Sequence, residues 1–96
     1  MTQVTVVARI KAKPEASTKV REELLKLIEP TRKESGCISY DLHQDNEDAT
    51  LFFFLENWES KELLDKHLKS EHIKAYLKST ENLVEQWDLN LLTKID

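Results

Sequence analysis

The run Leu51-Phe52-Phe53-Phe54-Leu55 has no polar side at all. Successive side chains of a strand point to opposite faces, so a strand of this composition has to be covered on both. A chain of 96 residues has material for one domain and one core. One layer of helices covers one face of a sheet, and the other face is left for a partner. The run therefore predicts a partner sheet.

Around it the chain divides into short elements. Val4, Val6, Ala8, Ile10 and Ala12 alternate with Thr5, Arg9 and Lys11, the period of a strand, which Pro14 ends. From Ser17 the spacing changes to Val20, Leu24, Leu27 and Ile28, a helical stripe that Pro30 should kink or end. Gly36, the only glycine, suits a left-handed helix cap. Ile38, Tyr40 and Leu42 then alternate with Ser39, Asp41 and His43 in a second strand, and Asp45-Asn46-Glu47-Asp48 reads as a hairpin loop into a third, Thr50 to Trp58. Ser60 and Ser70 are N-caps of two further helices, the first with Leu63, Leu64, His67 and Leu68 on one face, the second with Ile73, Tyr76 and Leu77. Trp87, Leu89, Leu91 and Ile95 mark a fourth strand. The order β-α-β-β-α-β predicts an α+β, ferredoxin-like antiparallel sheet with helices on one face, as a single domain over residues 1–96.

Composition narrows the function. The net charge is −4, and lysines are interleaved with glutamates, as in Lys19-Val20-Arg21-Glu22-Glu23. Nucleic-acid binding needs a basic stripe to neutralise phosphates, and none is present, so no nucleic-acid partner is expected. No stretch approaches the roughly 18 apolar residues of a membrane span, so no membrane partner is expected. A single cysteine, and a first strand that starts where a leader's apolar region would lie, predict a reducing, cytoplasmic location. One glycine cannot build a phosphate-cradling loop. The three histidines, 43, 67 and 72, form no ligand motif, and the five-residue step from His67 to His72 misses the i, i+4 spacing that puts two ligands on one helical face. No metal site is expected. Cys37, directly after Gly36, reads as a small packed residue rather than a nucleophile, and His43 as a solvated one.

His67 stands out because it shares a helical face with leucines and should point at the sheet. Its imidazole could transfer a proton near neutral pH, although an inward histidine satisfied by one hydrogen bond is the simpler account. Glu56 and Trp58 share a face of the third strand with Phe52 and Phe54. A carboxylate on an apolar face has a partner or a raised pKa. Together Phe54, Glu56, Trp58 and His67 describe an aromatic cavity with one acid and one base, the lining of a small-molecule pocket.

An ordered set of phrases runs through nearly the whole chain: Val-Val-Ala-Arg-Ile at 6–10, Glu29-Pro30-Thr31-Arg32, Glu34-Ser35-Gly36-Cys37 with Tyr40, Glu56-Asn57-Trp58, the helix bearing His67, and Ser70-Glu71-His72. In this order it resembles the antibiotic biosynthesis monooxygenase domain, especially its small quinol-monooxygenase-like branch. The resemblance implies a homodimeric α+β barrel of two packed sheets, each subunit with a pocket between its own sheet and helices. It also implies oxidation of a quinol- or anthrone-like aromatic by O₂, with no flavin, haem or metal cofactor. His67 and Glu56 would then be the catalytic pair, and Phe54, Trp58, His72 and Tyr76 the substrate-binding group. The haem-degrading relatives of this family carry an asparagine on the first strand, a helix tryptophan and an axial histidine. This sequence has no such asparagine, places His67 at the tryptophan and Leu77 near the axial position. Two alternatives stay open: an isomerase of a phosphorylated signalling sugar, for which Arg9 is the only candidate phosphate ligand, and a non-catalytic ligand-binding or dimerisation module.

Overall fold

The computed structural model describes residues 3–96; the first two residues of the span read as one domain lie outside the described residues. Strand β1 (Val4–Ala12) leads through a 3₁₀ turn (Pro14–Ala16) into α1 (Ser17–Leu25) and α2 (Ile28–Arg32). The hairpin β2 (Cys37–Gln44) and β3 (Leu51–Trp58) follows, then α3 (Lys61–Leu68), α4 (Glu71–Ser79) and β4 (Val84–Leu92). All neighbouring strands are antiparallel, in the order β2-β3-β1-β4. This is the α+β, ferredoxin-like arrangement that the element order predicts, with a four-stranded sheet.

Alternation decides which residues meet the helices. Val6, Ala8, Ile10 and Ala12 of β1 and Phe52, Phe54 and Trp58 of β3 are buried, together with Val20, Leu24 and Leu27 of the first helical segment and Leu64 of α3. Pro30 acts one turn upstream of itself. It has no N–H for the Lys26 carbonyl and its ring would clash there, so α1 ends at Leu25 and Pro30 sits in the first turn of α2. Both serine caps form, Ser60 accepting from the Leu63 N–H at 3.2 Å and Ser70 from the Ile73 N–H at 3.4 Å.

Two strand readings need correction. Ile38 does not alternate inward with Tyr40 and Leu42. A register shift between Cys37 and Ser39 turns it outward, where it is exposed. The fourth strand starts at Val84 and ends at Leu92, as β1 runs out beside it, so Ile95 lies beyond it and exposed. Trp87, Leu89 and Leu91 pair with Ile10, Ala8 and Val6, and opposed residues share a face. The apolar side of β4 therefore looks toward the helices and adds nothing to the helix-free face. That outer face carries Val7, Leu51, Phe53, Leu55 and Leu92 among polar residues: Thr5, Arg9 and Lys11 of β1, Ser39, Asp41 and His43 of β2, Asn57 of β3, and Gln86, Asp88 and Asn90 of β4.

Gly36 positions α3. Its φ of +87° is the left-handed conformation that β-carbon sterics disfavour, and an added Cβ would stand 2.8 Å from Leu63 Cβ. Gly36→Ala should therefore destabilise the fold by about 2–4 kcal/mol in urea titration. Adding Leu63→Ala, which removes the γ- and δ-carbons that also crowd the new Cβ though not the Leu63 Cβ, should give less than the sum of the two single losses. Additive losses would mean that α3 does not depend on this contact.

Candidate active site

The site is built on the inward row of β3. Glu56 and Trp58 are two residues apart and so on one face; both are buried, and the indole Nε1–H donates to Glu56 Oε1 at 2.9 Å. Across the sheet Glu56 faces Val6 on one side and Tyr40 on the other. Burial in these surroundings pushes its carboxyl up to about 7, against the indole hydrogen bond and helped by the nearby charge of Glu34. A carboxyl of this kind can hold its proton near neutrality and donate it to a bound oxygen.

Helix α3 lowers His67 onto this row. The ring packs on Trp58 at a centroid distance of 4.7 Å and edge-on to Tyr40 at 5.5 Å. Tyr40 in turn stacks on Phe54 at 4.4 Å. His67 Nδ1 lies 2.7 Å from Glu34 Oε2, and His72 Nε2 lies 2.7 Å from the same oxygen. The carboxylate hydrogen-bonded to His67 is thus Glu34, at the turn that Gly36 closes, while Glu56 shares the cavity wall with His67. Burial lowers the His67 pKa, outweighing the hydrogen bond and charge of Glu34. The imidazole is therefore neutral near pH 7, and its Nε2 has no hydrogen-bond partner among the described residues.

Between sheet and helices lies a cavity of about 470 Å³, within the range of small-molecule pockets. Its wall includes Tyr40, Phe54, Glu56, His67, Tyr76 and Trp87. Burial raises the phenols of Tyr40 and Tyr76 above their ordinary pKa, so both remain hydrogen-bond donors. Of the residues expected to form a site, Phe54, Glu56, His67 and Tyr76 meet at this wall. Trp58 does not; it is sealed beneath His67 and acts on the cavity through its bond to Glu56 and its packing on the His67 ring. His72 does not line the cavity either, because it sits beyond Glu34 at the start of α4. Cys37 is half-buried, and burial raises its thiol pKa, which opposes a thiolate nucleophile.

The grouping of Glu34, His67 and His72 escapes sequence reading. The caps at Ser60 and Ser70 already put the two histidines on different helices, so a spacing argument for one helix does not apply to them. Glu34 is 33 residues from His67, and only its place before Gly36 hints at a buried turn. The donor atoms of Glu34, His67 and His72 lie within 4.8 Å of one another, close enough for a divalent cation to draw them in. The arrangement seen is a hydrogen-bonded one, with a single carboxylate oxygen between two ring nitrogens.

Residues 3–79 match the antibiotic biosynthesis monooxygenase family. Rv0793 of Mycobacterium tuberculosis is 40% identical over 73 residues, 76% of this chain and 71% of that protein. The "Probable quinol monooxygenase YgiN" of Escherichia coli is 27% identical, covering 93% of this chain and 95% of its own. The crystal structure of PA3566 from Pseudomonas aeruginosa superposes with a TM-score of 0.95 at 33% identity, over 100% of this chain and 97% of that one. The chain spans only 55% of the length of another curated relative, sll1783 of Synechocystis sp., to which it is 32% identical over 85 residues. With a family match across most of its length and the same fold in its relatives, this chain belongs to the antibiotic biosynthesis monooxygenase family.

Proposed function

We propose that the protein is a cofactor-independent monooxygenase that oxidises a small, electron-rich aromatic, quinol- or anthrone-like, with O₂. The observation that carries this reading is the pairing, at one apolar cavity wall, of a neutral imidazole with an unpartnered Nε2 and a carboxyl whose pKa is about 7. Environments that push an acid up and a base down assign the two roles. Nε2 of His67 takes the proton of a bound phenol or an activated C–H. Glu56, in its protonated form, donates a hydrogen bond to the oxyanion that forms. The electron-rich anion reduces O₂ and bonds to it at carbon, giving a peroxide. The peroxide collapses with loss of water, so that a phenol with a free para C–H and one O₂ become a quinone and one H₂O. His67 returns the captured proton to the departing oxygen, and the step closes without a net proton.

The cavity wall favours an uncharged substrate. Its ionisable carboxyls are Glu56, Glu81 and Glu85, and no lysine or arginine lines it among the described residues. Arg9 pairs with Asp88 at 3.4 Å on the helix-free face, away from the cavity. A phosphorylated sugar would meet only negative charge there, so the isomerase reading has no support from the wall. The monooxygenase reading also includes a homodimer that covers the outer face of the sheet. Leu55 is 44% exposed and Leu92 46% exposed on that face, a surface that a second copy of the same sheet would bury.

Oxygen uptake by metal-stripped protein against a panel of quinols and anthrones should find a substrate. With that substrate His67→Gln, which cannot titrate, should lower turnover by about 10²–10⁴-fold while the fold persists. Full activity in this variant would assign the base elsewhere. The pH profile should fall on the alkaline side near 7 as Glu56 loses its proton, and on the acid side below the ordinary histidine range. Glu56→Gln keeps a donor but cannot ionise, so its alkaline limb should vanish; persistence of that limb would remove Glu56 from the mechanism. Light scattering should give a mass near twice the chain's 11.2 kDa, and Leu55→Asp should halve it. A wild-type monomer at micromolar concentration would end the dimer proposal.

A further inference from the structure

The cluster of Glu34, His67 and His72 is not explained by the cavity chemistry alone. Only His67 belongs to the cavity wall; the other two stand behind it, joined to it through one oxygen atom. A carboxylate oxygen accepts hydrogen bonds and cannot donate them. Two contacts of 2.7 Å to Oε2 therefore put a hydrogen on His67 Nδ1 and another on His72 Nε2. In a neutral ring with Nδ1 protonated, Nε2 is bare. His67, a residue of the cavity wall, then keeps a free acceptor at Nε2, as a base must.

We infer that Glu34 is a positioning residue, which selects the tautomer of His67 that leaves Nε2 free and compensates the imidazolium formed when Nε2 takes a proton, while His72 holds the same Glu34 oxygen in place from the far side. The inference rests on the monooxygenase reading for its consequence in turnover, but its structural core stands apart from that reading. The geometry supports it in three ways. His67 is 2% exposed, so the ring cannot exchange Glu34 for bulk water. The Trp58 and Tyr40 rings pack against it and restrict its rotation. The third is the second donor at Oε2, from His72, which limits how Glu34 can turn. An orienting carboxylate behind a catalytic imidazole acts in this way in other enzymes, and its loss leaves the base in the wrong tautomer.

The ¹⁵N shifts of the imidazole nitrogens read the tautomer directly and need no substrate. In the wild-type protein near pH 7, His67 should show a protonated Nδ1 and a bare Nε2. Glu34→Leu removes the acceptor, and His67 should then move toward the Nε2–H form that an unpartnered imidazole prefers. With a substrate from the oxygen-uptake panel, the same variant should lose about 10²–10⁴-fold in kcat with KM within about twofold, because Glu34 does not touch the cavity. A wild-type ring protonated at Nε2 would overturn the inference, and so would a Glu34→Leu enzyme with unchanged kcat. Stoichiometric Co²⁺ binding with a tetrahedral absorption band, lost in Glu34→Leu and in His72→Phe, would overturn it in favour of a metal centre. Wild-type protein inactive on every panel member would sink the monooxygenase reading instead, and the tautomer measurement would then decide the role of Glu34. If Glu34→Leu fails to fold, the wild-type shifts carry the test by themselves.

Discussion

Two polar side chains, Glu56 and His67, are sealed beneath a single layer of helices, and each is costly there unless a partner is supplied. Much of the local architecture supplies those partners. Trp58 turns its indole back along β3 to donate to Glu56. The turn after α2 brings Glu34 to His67, and the start of α4 brings His72 to Glu34. Gly36 lets the chain pass close to Leu63, four residues before His67 on α3, so that the imidazole comes within reach of the carboxylate. Elements from three parts of the chain thus meet at one hydrogen-bonded cluster.

The partners have opposite effects on the two groups. At Glu56 the desolvation of the charged form dominates, and one neutral N–H does not offset it, so the acid is poised near neutrality. At His67 desolvation again dominates, but here it favours the neutral base. The same dry environment therefore prepares an acid and a base together. A wet cleft would leave Glu56 ionised and His67 partly protonated at pH 7, with the roles lost. Aromatic packing by Tyr40, Phe54 and Trp58 is what keeps the wall dry and the rings fixed.

The sequence by itself determined the elements and the inward face of β3, because periods of two and near four are local properties of hydrophobic spacing. Phe54, Glu56 and His67 were legible as wall residues on that basis, and Gly36 as a left-handed turn. Tertiary structure decided what depends on register and distance. Strand pairing turned the apolar side of β4 toward the helices, which no pattern within β4 could show. Trp58 was hidden behind His67 because burial depth depends on what packs above a residue, not on its face. The partnership of Glu34 with His67 spans 33 residues of chain, and that of Glu34 with His72 spans 38. Hydrogen bonds of this range carry no sequence period, since they form only where three separately positioned helices and turns converge.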